Sequence, residues 1–156
     1  MRLTLYLCAA CLVAAAVVLL TVHPAAATLG EKADSVTPDR KALSAVQRPS
    51  VTRQNYTVHE LDAGGNVVRE YVSPSGVVFA IAWSGLSHPD LGTLLGAYVG
   101  GYRQALQRTP RERGKRHFRV NANGAVVEKW GHMRNVHGRA YVPALLPSGV
   151  NIDEIE

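Results

Sequence analysis

Cysteine is nearly absent from this chain of 156 residues: Cys8 and Cys11 are the only two, and both lie inside one apolar run near the start. Everything after residue 11 is without thiols, which excludes thiol catalysis, cysteine-ligated zinc, iron–sulfur clusters and disulfide stapling there. Aromatic residues are also scarce, at 6%. Enzyme signatures are missing too: there is no Gly-x-Ser-x-Gly elbow, no Gly-rich phosphate loop and no His-Glu-x-x-His pair. What remains is an ordinary globular composition, 47% hydrophobic and 19% charged, with a formal net charge of +5.

The one long apolar run is informative. Residues 3–22 carry no charge, follow Arg2, and give way to Ala25, Ala26 and Ala27. A basic start, an apolar stretch and small residues at the cleavage site are the signature of an export signal. Cleavage after Ala27 would leave 129 residues with 16 Lys/Arg against 12 Asp/Glu, because the leader holds only Arg2. The expected location is therefore the periplasm or the extracellular space. The run is also just long enough to span a bilayer, so the alternative is a retained anchor. Lipid attachment at Cys11 is disfavoured, since Cys8-Ala9-Ala10 lack a branched apolar residue and most of the run follows. The predicted organisation is a cleavable signal (1–27), one domain (28–150) and a short acidic tail (151–156) expected to fray.

Within the domain, Thr37-Pro38-Asp39 reads as a helix start and Pro49 as its stop, predicting a short N-terminal helix. Two strands at 56–61 and 67–72 flank the hairpin dipeptide Gly64-Gly65, a turn that would pair Glu60 with Arg69 and His59 with Glu70. A third strand, 77–83, is apolar on both faces and reads as central. The clearest helix is predicted over 87–108, capped by Ser87 and Asp90, with Leu91, Leu94, Leu95, Tyr98 and Tyr102 at helical period. Strands at 118–121 and 125–130 flank Asn123-Gly124, a loop follows at 131–138, and a last strand is expected near 139–142. This is an α+β fold: an antiparallel β-sheet, a three-strand meander and then two or three further strands, packed on one long central helix.

Three stretches, REYVSPSGVVFAIAWSG (69–85), PDLGTLLGAY (89–98) and GHMRNVHGRAYVPALLP (131–147), together resemble a family of small exported bacterial proteins known as a domain of unknown function. The likeness runs from about Thr28 to Val150. It implies export and a single domain, and brings no activity, cofactor or catalytic residue with it.

Three features stand as candidate sites. The segment with Arg108, Arg111, Arg113, Lys115, Arg116 and Arg119 has one acid, Glu112, and suits phosphate or carboxylate oxygens of a polyanion. In an exported protein that means an envelope polyanion, or another envelope protein. One aromatic beside the cations is too little for base stacking, which argues against nucleic acid. A membrane would be met only through a retained leader or through surface charge. Gly92, Gly96 and Gly100 recur every fourth residue opposite the apolar stripe of the long helix, predicting a close contact face. His132, Arg134, His137 and Arg139 form the alternative, a small envelope enzyme. No acid lies between Lys129 and Gly149 to complete a three-ligand metal site, so neither a metal nor another cofactor is expected. The preferred reading is a non-enzymatic exported protein that binds or supports an envelope component.

Overall fold

The structure is a computed structural model that describes residues 29–33, 43–110, 114 and 116–156. The expected signal segment, most of the predicted N-terminal helix, and Arg111, Arg113 and Lys115 lie outside these residues.

Two turn chemistries shape the sheet. Gly64 and Gly65, with φ of 59° and 108°, close a hairpin between β3 (Thr57–Asp62) and β4 (Asn66–Val72). Asn123 and Gly124, with φ of 51° and 95°, do the same between β6 (His117–Ala122) and β7 (Ala125–His132). The central strand β5 (Val78–Gly85) and β8 (Asn135–Tyr141) complete two three-stranded meanders that meet along β5 and β8. All pairings are antiparallel, in the order β3-β4-β5-β8-β7-β6, and the short strands β1 (Val46–Gln47) and β2 (Val51–Thr52) both add to the outer edge of β3.

The predicted register Glu60↔Arg69 and His59↔Glu70 is the one observed. The sheet-dominated α+β class holds, but the short N-terminal helix is not seen: its described end, from Leu43, turns and enters β1. There Val46 pairs with Asp62, because β3 offers an open edge whose hydrogen-bonding groups a short strand satisfies. The expected loop at 131–138 is also corrected. It is a tight hairpin, with His132 paired to Asn135 and Arg134 at φ 63° in the turn.

The long helix is divided. Asp90, not Ser87, caps α1 (Leu91–Leu95), accepting from Gly92 N and Thr93 Oγ1, each at 2.8 Å. Ser87 is instead held by Asn66, whose Oδ1 accepts from its backbone N–H. At Gly96 the backbone takes φ 44° and ψ −115°, and a single 3-10 turn leads into α2 (Val99–Arg108). Leu94 and Leu95 before the break and Tyr102 after it all join one core on the sheet.

The opposite face of the sheet is covered by the chain after β8. A bulge in β5 opposes Val72 to Val78 and Tyr71 to Ala80, leaving Phe79 unpaired. It thereby turns Phe79 and Ala80 to the same side as Ala82. They pack with Tyr56, Tyr71, Tyr141 and Ile155, the last of these 0% exposed. The segment expected to fray is therefore docked, through a 3-10 turn (Ile152–Glu154) capped reciprocally by Asn151 and Glu154.

Gly138 on β8 lies directly beneath the indole of Trp83, where a Cβ would collide with the ring. Gly138→Ala should therefore cost about 1–3 kcal/mol by overpacking. Gly100→Ala, at a site with no atom within 4 Å of the new carbon, should raise stability by up to about 1 kcal/mol. Urea unfolding of the two variants beside the wild type checks both signs.

Candidate functional site

Strand alternation separates charge between the two faces of the sheet. On the face under the C-terminal segment, one cross-strand row runs Arg119↔Glu128↔Arg139↔Ala82↔Arg69↔Glu60. Glu128 sits between two arginines, with Arg119 Nη1 at 3.0 Å and Arg139 Nε at 2.6 Å. Arg69 Nε donates to Glu60 at 2.9 Å, and Arg48 closes the far end on Glu60 and Asp62 at 3.1 and 2.8 Å. The two arginines beside Ala82 also hold the C-terminal segment: Arg139 donates to Ile152 O at 2.7 Å and Arg69 to Glu156 O at 3.0 Å. The next row outward is aromatic, His117↔Trp130↔His137, with stacked rings 6.2 and 6.0 Å apart.

The helix side differs. Where α2 ends and β6 begins, a cavity of about 590 Å³ opens between Leu106, Thr109 and Pro110 on one side and the ends of β6 and β7 on the other. Its basic lining is His88, Arg116, His117, Arg119 and Lys129, and among the described lining residues there is no Asp or Glu. Phe118, Leu106 and Val136 supply an apolar wall from the helix side, while His117, Arg119 and Trp130 reach the same opening from the other face of the sheet. A smaller groove of about 340 Å³ runs between α2 and β6, with Arg108 and Arg119 at its rim.

His88 is fixed from below. The indole of buried Trp83 donates to His88 Nδ1 at 2.9 Å, and because indole nitrogen has no acceptor role, the imidazole must leave Nδ1 unprotonated and carry its proton on Nε2. Partial desolvation, with the Lys129 ammonium nearby, lowers the His88 pKa from its ordinary 6.5. Lys129 itself lies over the Tyr102 ring, its Nζ 5.2 Å from the centroid.

The family model described as "Protein of unknown function (DUF2844)" matches residues 25–155. The chain belongs to this family. No curated protein and no solved structure matches it. The DUF2844 match extends through Ile155, so it includes the C-terminal segment that the arginine row holds.

The DUF2844 chain distributes its predicted site residues unevenly. Arg108, Arg116 and Arg119 gather around the cavity and groove, though Arg119 is partly spent on Glu128 and on Tyr141 Oη at 3.3 Å. The three glycines do not share a helical face, because the helix breaks at Gly96. A Cβ on Gly92 would meet only Asp90, and the position at Gly100 is open. The glycine at close quarters is Gly101, where a Cβ would stand 2.7 Å from Asn123 Cγ and 3.0 Å from the Ala122 carbonyl carbon. The alternative enzyme set is gathered only in part: His137 and Arg139 both lie against the Trp130 ring, at 6.0 and 5.7 Å, with Arg139 also paired to Glu128, whereas His132 and Arg134 are exposed at a hairpin tip. Among the described residues no group of three His, Cys, Asp or Glu is placed to hold a metal ion, and no helix is long and apolar enough to cross a membrane.

Sequence reading missed His88 and Lys129. Nothing local marks them, since their meeting depends on the β7–β8–β5 pairing that carries Lys129 towards Trp83.

Burial also lowers the His59 pKa, so the folded state resists protonation at both His59 and His88. The unfolded chain then binds more protons below its ordinary histidine pKa of 6.5. Stability should be full above that pH and should decline as pH falls through the depressed folded values. His88→Asn keeps an acceptor for the Trp83 N–H without a titrating ring. In urea unfolding from pH 7.5 to 5 it should lose less stability on acidification than the wild type. An unchanged slope would contradict the assignment.

Proposed function

We propose that this protein is an exported, non-enzymatic module that binds an anionic component of the cell envelope at the surface where α2 runs into β6. The observation that carries the reading is the cavity lined by Arg116 and Lys129, neither with a carboxylate partner among the described residues, beside His88, His117 and the Glu128-paired Arg119. The connecting segment adds Arg111, Arg113 and Lys115 in sequence against Glu112. Guanidinium groups pair well with phosphate and carboxylate oxygens, and their release of counterions favours multivalent anions. Export rests on Arg2, the uncharged run 3–22 and Ala25-Ala26-Ala27. A binding role also accords with the placement of His132 and Arg134 at an exposed hairpin tip and with the commitment of Arg139 to Glu128.

The test uses the protein recovered from an exporting host, its mass reporting whether it begins at Thr28. Retention on vesicles containing anionic phospholipid or lipopolysaccharide should fall on the order of ten- to a hundredfold between 50 and 200 mM salt, the dependence of a few neutralised phosphates. Changing Arg108, Arg111, Arg113, Lys115 and Arg116 together to Gln should abolish most of it; Arg119 is left in place because it supports Glu128. Equal retention of the variant would overturn the proposal.

A further inference from the structure

We infer that the cavity takes a ligand with one anionic head group, a carboxylate or phosphate monoester, joined to an apolar body, and that Lys129 and His88 are its head-group contacts. This deepens the anion-binding reading above and rests on it.

Lys129 is the electrostatic exception in the described structure. The other half-buried cations of the sheet have carboxylate partners, Arg69 on Glu60 at 2.9 Å and Arg139 on Glu128 at 2.6 Å. Lys129 is half-buried too, yet among the described residues it has no ion pair and only the face of Tyr102 beneath it. Its ammonium opens on a cavity whose described lining offers it no carboxylate, an arrangement that an anionic ligand completes. Glu70, the buried acid on the helix side, cannot serve as that partner in the sheet order, because β4 lies three strands from β7.

His88 adds a directional donor. With Nδ1 held by Trp83 Nε1, the ring offers Nε2–H, and it does so while neutral. A cation and a neutral donor side by side suit one anionic group. Arg116 at the rim adds a second charge without a carboxylate partner among the described residues.

The apolar wall decides the rest of the ligand. Phe118, Val136 and Leu106 (37% exposed) face the same cavity, and a bare anion would leave them in water. A volume of about 590 Å³ lies within the range of small-molecule sites, far beyond what a single phosphate fills. An alkyl or aryl body on the anion uses both parts.

The experiment measures binding of inorganic phosphate and of butyl, hexyl and octyl phosphate as monomers, by calorimetry on the exported protein, with hexanol as the uncharged control. Each methylene that enters the cavity should tighten binding roughly fourfold until the space is filled. Lys129→Met, which keeps the stem over Tyr102, should weaken octyl phosphate ten- to a hundredfold, the loss expected for one charge-assisted contact. The five-site Gln variant, with cavity-rim Arg116 as its one change at this site, should lose less than Lys129→Met. Thermal unfolding of Lys129→Met confirms that it remains folded, and the His88 ring-nitrogen signals should move on binding in the wild type. Equal affinity for inorganic and octyl phosphate, or hexanol binding as tightly as hexyl phosphate, would overturn the inference. So would vesicle retention without any alkyl phosphate binding, which leaves the surface reading standing. Silence in both assays would sink both.

Discussion

Glu128 lies on β7, one strand in from the edge of the eight-stranded sheet, with its side chain only 3% exposed, a position that an ionised carboxylate tolerates only with close partners. Arg119 and Arg139 provide them from the two neighbouring strands. The consequence spreads outward. Arg139, fixed by Glu128, directs its remaining N–H groups to the carbonyls of Ile152 and Ile155. Those contacts seat Ile155 beside Phe79 and Tyr141, and so give the central strand its second covered face. Ala82, between Arg139 and Arg69 in the same row, is small enough to leave room for the segment above it. Removing one partner of a buried pair of this kind typically costs 3–5 kcal/mol, because the other charge is left stranded.

The same row explains why the cavity at the end of α2 is basic. Glu60, Asp62 and Glu128 are committed to arginines beneath the C-terminal segment, and Asp153 lies 4.0 Å from Arg139 on that side as well. Lys129, the residue after Glu128, alternates to the other face and finds an aromatic ring instead of an acid. The strand β7 therefore carries a neutralised charge on one side and, on the other, one with no carboxylate partner among the described residues. The functional reading follows from that asymmetry more than from the number of arginines in the connecting segment.

Much of the fold was legible because its signals are local. Gly64-Gly65 and Asn123-Gly124 accept the positive φ angles of two-residue turns, and turn position then fixes pairs such as Glu60 with Arg69. What escaped was non-local or conformationally ambiguous. The β5–β8 pairing that joins Arg139 to the Arg69 row connects residues more than fifty apart, and no turn encodes it. Pro147, Gly149 and the acids at 153–156 read as a loose tail, since Ile152 and Ile155 show their role only when a sheet face is there to receive them. Leu91 to Tyr102 keep helical spacing on both sides of Gly96, so periodicity passes over the break. The site was half visible: Arg108, Arg116 and Arg119 stand out as a basic run, whereas a lone lysine and a lone histidine become a pair only through tertiary packing.

Binding on the helix side of the sheet should leave the arginine-held segment in place. Hydrogen–deuterium exchange with and without anionic vesicles tests it most directly. Added protection is expected at the end of α2 and in the facing strand ends, around residues 105–110, 116–119 and 129–131, with residues 150–156 unchanged. Protection or release concentrated at 150–156 and along the Glu128 row, with the helix side unaffected, would contradict it.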